Sequence, residues 1–225
     1  MISIHPGKKA AGEKAAAYIR PGMTVGLGTG STAYWAIEKI GQLVAEGLQI
    51  KAIATSEQSD EQARQLHIPL ISFSEIDHID IDIDGADEVD EKFNLIKGGG
   101  GALLREKIIA AASRKMIVVA DDSKLVKQLG AFPLPVEVVP FGWEITIRKL
   151  QALRCTASLR KKNGETFITD NGNYIVDCNF EKIASPETLN NALNNIPGVV
   201  ENGLFIHMCN TVIIGYSDGS TRVLS

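Results

Sequence analysis

The sequence predicts an α/β protein: a doubly wound, mostly parallel, Rossmann-like sheet with a smaller α+β domain of ferredoxin-like order. Three observations predict it. Short apolar runs alternate with helical runs through the first part of the chain, the pattern of a parallel sheet covered on both faces. Two glycine-rich stretches, GLGTGSTA at 26–33 and KGGGG at 97–101, fall where the carboxyl ends of such strands hold ligands. Near Gly130 the composition changes, and an order of strand, helix, strand, strand, helix, strand follows, which is a split βαβ unit. The expected division is 1–129 plus 204–225 for the larger domain and 130–203 for the smaller.

Residues 8–19 are alanine-rich and read as a helix stopped by Pro21-Gly22. Residues 23–27 form a short apolar strand, and a helix runs from the glycine turn to about Val44. A strand is expected at 50–54, a helix at 57–66 capped by Ser56, and an extended piece at 68–73. Residues 79–83 alternate isoleucine and aspartate, the period-2 pattern of a half-buried strand, so Asp80 and Asp82 read as its solvated face. The glycines at 98–101 lead into the strong helix-forming run ALLREKIIAAA, and residues 116–120 are a continuous apolar strand. Beyond them come an extended proline-containing run at 132–140, a helix at 143–153 and strands at 156–160 and 174–178. Asn163-Gly164 and Asn171-Gly172 supply turns between those two strands. Ser185-Pro186 starts a helix that Pro197-Gly198 ends, and a strand begins at Val199. Strands near 204–207 and 211–214 are expected to return to the first domain, with a last hairpin turn at Asp218-Gly219.

Composition excludes several classes of function. With 225 residues, 44% hydrophobic and 22% charged, the chain reads as an ordinary soluble protein. Its net charge of −4 leaves no basic footprint, so no nucleic-acid partner is expected. No window is apolar enough to span a bilayer, and the lysine-bearing start is no signal peptide, so no membrane partner is expected. Cys155, Cys178 and Cys209 are an odd count without paired spacing, which reads as reduced and cytoplasmic, with neither a disulfide framework nor zinc.

The chemistry concentrates in 84–107, DGADEVDEKFNLIKGGGGALLREK. Asp84 and Asp87 stand at a strand end, and Lys97 immediately precedes Gly98, Gly99, Gly100 and Gly101. Glycines opening a helix present backbone N–H groups at the positive end of its dipole, a cradle for an anion. Glu106 follows in the second turn of the expected helix. Residues 80–91 also satisfy a calcium-loop pattern, but the isoleucines favour a strand, Asp87 stands where that loop wants an apolar residue, and no helix leads in. No metal is expected there. GLGTGS lacks the third glycine of a dinucleotide fingerprint and the lysine of a Walker loop. What remains is either a tight turn with a serine cap or a pocket for one phosphate, built from Gly28, Thr29, Gly30, Ser31 and Thr32. Past the strand at 116–120, Asp122 or Ser123 could cap a helix, and Lys124 could reach a phosphate.

GLGTGSTA, DGADEVD, KGGGGALLREKI and DDSK, in this order and spacing, closely resemble the A-type ribose-5-phosphate isomerases, over essentially the whole chain. The resemblance implies interconversion of ribose 5-phosphate and ribulose 5-phosphate without a metal or organic cofactor, with a small sugar phosphate as partner. It also implies a homo-oligomer, a homodimer or dimer of dimers. Carried over by motif, Glu106 is the base and Lys97 with the glycine amides stabilises the oxyanion. Asp84 and Asp87 hold the sugar hydroxyls and assist ring opening. Ser31, Thr32, Lys8 and Lys124 bind the phosphate. Alternatives are a lactonase or amino-sugar deaminase on a related sheet, or a sugar-phosphate-sensing domain of a transcriptional regulator.

Overall fold

A computed structural model describes residues 5–225; residues 1–4, part of the lysine-bearing start, lie outside them. The chain divides into two compact units. Among the described residues the first comprises 5–86, Arg105–Leu125 and Met208–Ser225, and the second Asp87–Leu104 and Val126–His207.

In chain order the elements are α1 (Pro6–Ala16), β1 (Thr24–Leu27), α2 (Ala33–Ala45), β2 (Lys51–Ala54), α3 (Glu57–Gln65), β3 (Ile81–Gly85), β4 (Glu88–Val89), β5 (Leu95–Ile96), α4 (Leu103–Ala112) and β6 (Met116–Asp121). They continue as β7 (Leu134–Val138), α5 (Trp143–Gln151), β8 (Thr156–Leu159), β9 (Lys161–Lys162), β10 (Glu165–Thr166) and β11 (Tyr174–Asn179). The last are α6 (Pro186–Asn194), β12 (Val199–Asn202), β13 (Leu204–Phe205), β14 (Thr211–Gly215) and β15 (Thr221–Leu224).

The first unit is built on a six-stranded sheet of order β15-β14-β6-β3-β1-β2, parallel except for the antiparallel edge strand β15. From β1 the order runs one way to β2 and the other way to β3. That reversal is a topological switch point, where loops at the strand carboxyl ends part and leave room for a ligand. The sheet is covered on both faces, so β1, β6 and β14 are buried along their whole length.

That coverage overturns the solvated-face reading of β3. Asp82 is fully buried, opposite Gly26 in the β1–β3 register. A Cβ on Gly26 would lie 2.7 Å from Asp82 Oδ1, so the glycine leaves the space that the carboxylate fills. Asp80 is half-buried; it accepts the Thr24 amide at 2.8 Å and pairs with His78 and Arg114. The extended piece at 68–73 belongs to no named strand. It makes a single bridge, Leu70 to Ala52, before a 3-10 turn at Phe73–Glu75. Ser56 does cap α3, accepting from the Ser59 amide.

In the second unit a four-stranded antiparallel sheet has the order β12-β7-β11-β8. With helices α5 and α6 in the connections, this is the ferredoxin-like arrangement. Val136, Val138, Val176 and Cys178 join Leu150 of α5 and Leu193 of α6 in one apolar cluster. Alternation places Pro135, Glu137 and Asp177 on the opposite face of the sheet. Glu137, fully buried, accepts from Thr169, Asn171 and Asn173, bracing the turn that leads into β11. Ser185 precedes α6 without a side-chain cap bond, and Pro186 at the first turn provides the start.

The two late strands separate. β13 pairs with β5 in a three-stranded antiparallel sheet, β13-β5-β4, and only β14 joins the large sheet. Glu88 of β4 ties the segments of the second unit together, its carboxylate accepting the amides of Gly130 at 2.7 Å and Phe132 at 2.6 Å.

Candidate active site

In the first unit the switch point is organised by the Asp84 carboxylate. It stands at the end of β3, fully buried, and Oδ1 accepts the amides of Thr29 at 2.9 Å and Gly85 at 2.7 Å. Gly28 donates its amide to Ile83 at 2.9 Å, and a Cβ there would overlap the Asp84 backbone and carboxylate. Only glycine lets the β1 loop pass so close to β3. The Thr29 hydroxyl turns inward to a cluster with Thr55, Ser56 and Ser59, and Ser59 and Thr55 in turn donate to the carbonyls of Gly28 and Leu27. Thr29 is therefore a brace for the loop, with both its amide and its hydroxyl engaged.

Of the remaining loop positions Gly30 and Ser31 are exposed and Thr32 is buried. Gly30 has φ +107 with open space where a Cβ would stand, and Thr32 stands at the N-cap of α2 without a side-chain cap bond. Lys8 of α1 reaches this loop, donating to Ser31 Oγ at 3.0 Å and lying 3.7 Å from Asp121 Oδ2. Asp121, at the end of β6, caps the 3-10 turn Asp122–Lys124 by accepting from Ser123, a role expected for Asp122 or Ser123. Burial pushes the Asp121 carboxyl up, but the Ser123 hydroxyl, Lys8, the Ser123 amide and Lys124 together bring it below the ordinary carboxylate range. Lys124 thus shares one acidic neighbour with Lys8. Glu106 lies on α4, 3% exposed, and belongs to the first turn of that helix rather than the second.

In the second unit Lys97 is 2% exposed, an unusual environment for an ammonium. Its amide donates to Gly203 at 2.9 Å, and its Nζ lies 5.4 Å from the Phe205 ring centre, in cation–π range. Gly98 to Gly101 form a turn closed by the Gly101 amide on the Gly98 carbonyl, with positive φ at both ends. The middle glycines, Gly99 and Gly100, are exposed. Asp87 Oδ2 accepts the Gly99 amide at 2.7 Å.

Sequence reasoning missed the hydroxyl cluster, Arg160 and the capping role of Asp121. Arg160 donates to the carbonyls of both Gly98 and Gly99. The TSEQS run after β2 carries the hydroxyls, but nothing in its spacing ties it to Thr29. Arg160 ends a strand run like any other arginine and gives no signal of its own.

Comparison with known proteins decides what this arrangement belongs to. The sequence model of the family described as ribose 5-phosphate isomerase A (phosphoriboisomerase A) matches residues 51–219. The chain belongs to the ribose 5-phosphate isomerase A family. It is an isomerase. Ribose-5-phosphate isomerase A of Bacillus cereus is 57% identical over 213 residues, covering 94% of this chain and 97% of that protein. A solved ribose 5-phosphate isomerase from Plasmodium falciparum superposes with a TM-score of 0.93 at 42% identity, covering 97% of each chain. A D-ribose-5-phosphate isomerase in complex with phospho-erythronic acid gives 0.92 at 41% identity, again covering 97% of each chain.

Proposed function

We propose that the protein interconverts D-ribose 5-phosphate and D-ribulose 5-phosphate through an enediolate, with Glu106 moving the proton between C1 and C2. The observation that carries this is a carboxylate only 3% exposed, in the first turn of the helix entered directly from Lys97 and the glycine loop. Family membership supports the substrate. One solved relative binds phospho-erythronic acid, an acid phosphate whose carboxylate resembles the paired oxygens of an enediolate.

Aldose–ketose exchange removes a proton beside a carbonyl, so it needs a positioned base and an electrophile where negative charge develops. A base contributes roughly 10²–10⁴-fold, and preorganised donors supply much of the rest. In this reading Lys97 and the loop Gly98, Gly99, Gly100 and Gly101 receive the oxyanion; the Gly99 and Gly101 amides are engaged by Asp87 and by the Gly98 carbonyl, which leaves the direct amide contacts to Gly98 and Gly100. Asp84 and Asp87 hold the sugar hydroxyls and assist ring opening. The phosphate is held by the loop Gly28, Thr29, Gly30, Ser31 and Thr32 with Lys8 and Lys124. Within that loop the engaged amide and hydroxyl of Thr29 leave the direct contacts to Gly30, Ser31 and Thr32. The enzyme acts in this proposal as a cytoplasmic homodimer or dimer of dimers, without metal or organic cofactor. No helix among the described residues is long and apolar enough to cross a membrane.

A coupled isomerase assay with and without chelator tests it. The expected result is equal turnover in both, and a loss of at least about 10²-fold in Glu106→Gln with binding of the sugar phosphate retained. Wild-type rates in Glu106→Gln would remove Glu106 from the base role. Binding of ribose 5-phosphate by the unaltered protein without turnover would point instead to a sensor.

A further inference from the structure

We propose that Arg160 is a positioning residue for this reaction: it clamps the Gly98–Gly99 peptide and so orients the amides of the glycine loop and the Asp87 carboxylate. The proposal rests on the roles given above to Asp87 and to the loop amides.

Arg160 is itself rigidly held. Its own amide donates to Ile175 at 2.8 Å and its carbonyl accepts the Phe167 amide at 2.9 Å, so its backbone sits in a ladder on both sides. Its guanidinium makes a bidentate pair with Asp177 of β11, Nε to Oδ2 at 2.9 Å and Nη2 to Oδ1. The planar fork is thereby fixed, with Nη1 directed to the glycine loop. Nη1 donates at 3.0 Å to the carbonyl of Gly98 and at 3.0 Å to that of Gly99. The Phe167 ring stands 5.9 Å from the guanidinium carbon, and a Cβ on Gly101 would overlap that ring. Glycine at 101 therefore lets the loop settle against the arginine and its aromatic partner.

The consequence follows from the planar trans peptide, in which C=O and N–H point in opposite directions. In the Gly98–Gly99 peptide the carbonyl is held by Arg160 and the N–H by Asp87 Oδ2 at 2.7 Å. One peptide thus links the guanidinium to the Asp87 carboxylate. In the next peptide the Gly99 carbonyl faces Arg160, which turns the Gly100 N–H away from it. A glycine run has no side chains to fix its peptide planes, and φ is permissive. A half-buried charged donor on two successive carbonyls supplies the missing constraint and, by charge assistance, makes the paired N–H groups stronger donors.

Kinetics of Arg160→Ala, Arg160→Lys and Asp177→Asn, with thermal melts of each, test this. Displacing preorganised donors predicts a kcat about tenfold or more lower in Arg160→Ala, with KM for ribose 5-phosphate changed by less than about threefold. Lysine can reach a carbonyl but cannot keep the fork on Asp177, so Arg160→Lys should recover part of the lost kcat. In an Asp87→Asn background, Arg160→Ala should cost less than in the unaltered protein, because both act on one peptide. A KM effect with normal kcat would make Arg160 a substrate contact and overturn the proposal. So would loss of activity that tracks the melting temperature across all three variants, or full additivity with Asp87→Asn. If the unaltered protein is active and Arg160→Ala matches it, only this inference falls. If the unaltered protein does not isomerise ribose 5-phosphate, both fall.

Discussion

At the scale of single residues, each unit holds short contacts that glycine makes possible. Gly28 admits the Asp84 carboxylate, Gly26 admits Asp82, and Gly101 admits Phe167. The sequence singled out 84–107 because two acids, a lysine and four glycines in one span are hard to explain as surface. What it could not disclose is which carboxylates are buried: Asp82 looks like its neighbour Asp80 in the IDID pattern, but Asp82 lies within β3 facing Gly26 and Asp80 precedes the strand. Arg160 was illegible for a related reason, since its partners come from strands and turns far away in sequence. Asp121 gives a prediction at this scale. Its carboxyl is lowered, so the Lys8 and Ser123 interactions contribute stability above the unfolded carboxylate value and are lost as pH falls through the lower folded value. Carboxyl-carbon NMR of Asp121 should show a midpoint below that of free aspartate, and moving upward in Lys8→Met. A midpoint at or above the free value would contradict the account of this corner.

At the scale of elements, local signals placed most helices and strands within a residue or two. Ser56 caps α3 as read, and Asn163 and Gly164, both at positive φ, turn between β9 and β10. The run at 68–73 is apolar and extended, yet it meets only one bridge partner, and a strand is defined by its neighbours more than by its own residues. Glu88 shows the reverse, a charge inside a two-residue strand, tolerated because two backbone amides converge on it. Its removal by Glu88→Ala leaves both donors unsatisfied in a buried place, costing about 2–4 kcal/mol. At about 2–4 °C per kcal/mol for a chain of this size, the melting temperature should fall by roughly 5–15 °C. A fall of no more than a degree would mean that solvent satisfies those amides.

At the scale of the molecule, the first unit is assembled from three separated segments, and the last supplies β14 between β6 and β15. Val212, Ile213 and Ile214 are all fully buried there, and each such side chain contributes about 1.5–3 kcal/mol. A whole domain retains only about 5–15 kcal/mol, so a chain ending at His207 should not hold the large sheet. Circular dichroism and limited proteolysis of that truncation should report loss of cooperative structure. A native-like melt would show that β14 is dispensable. The same strand meets α1 where Gly7 and Gly215 touch backbone to backbone. During synthesis, then, the first helix leaves the ribosome long before the strand it packs on exists. Until residue 215 emerges, β6 carries an unpaired apolar edge, open to chaperones or to other nascent chains.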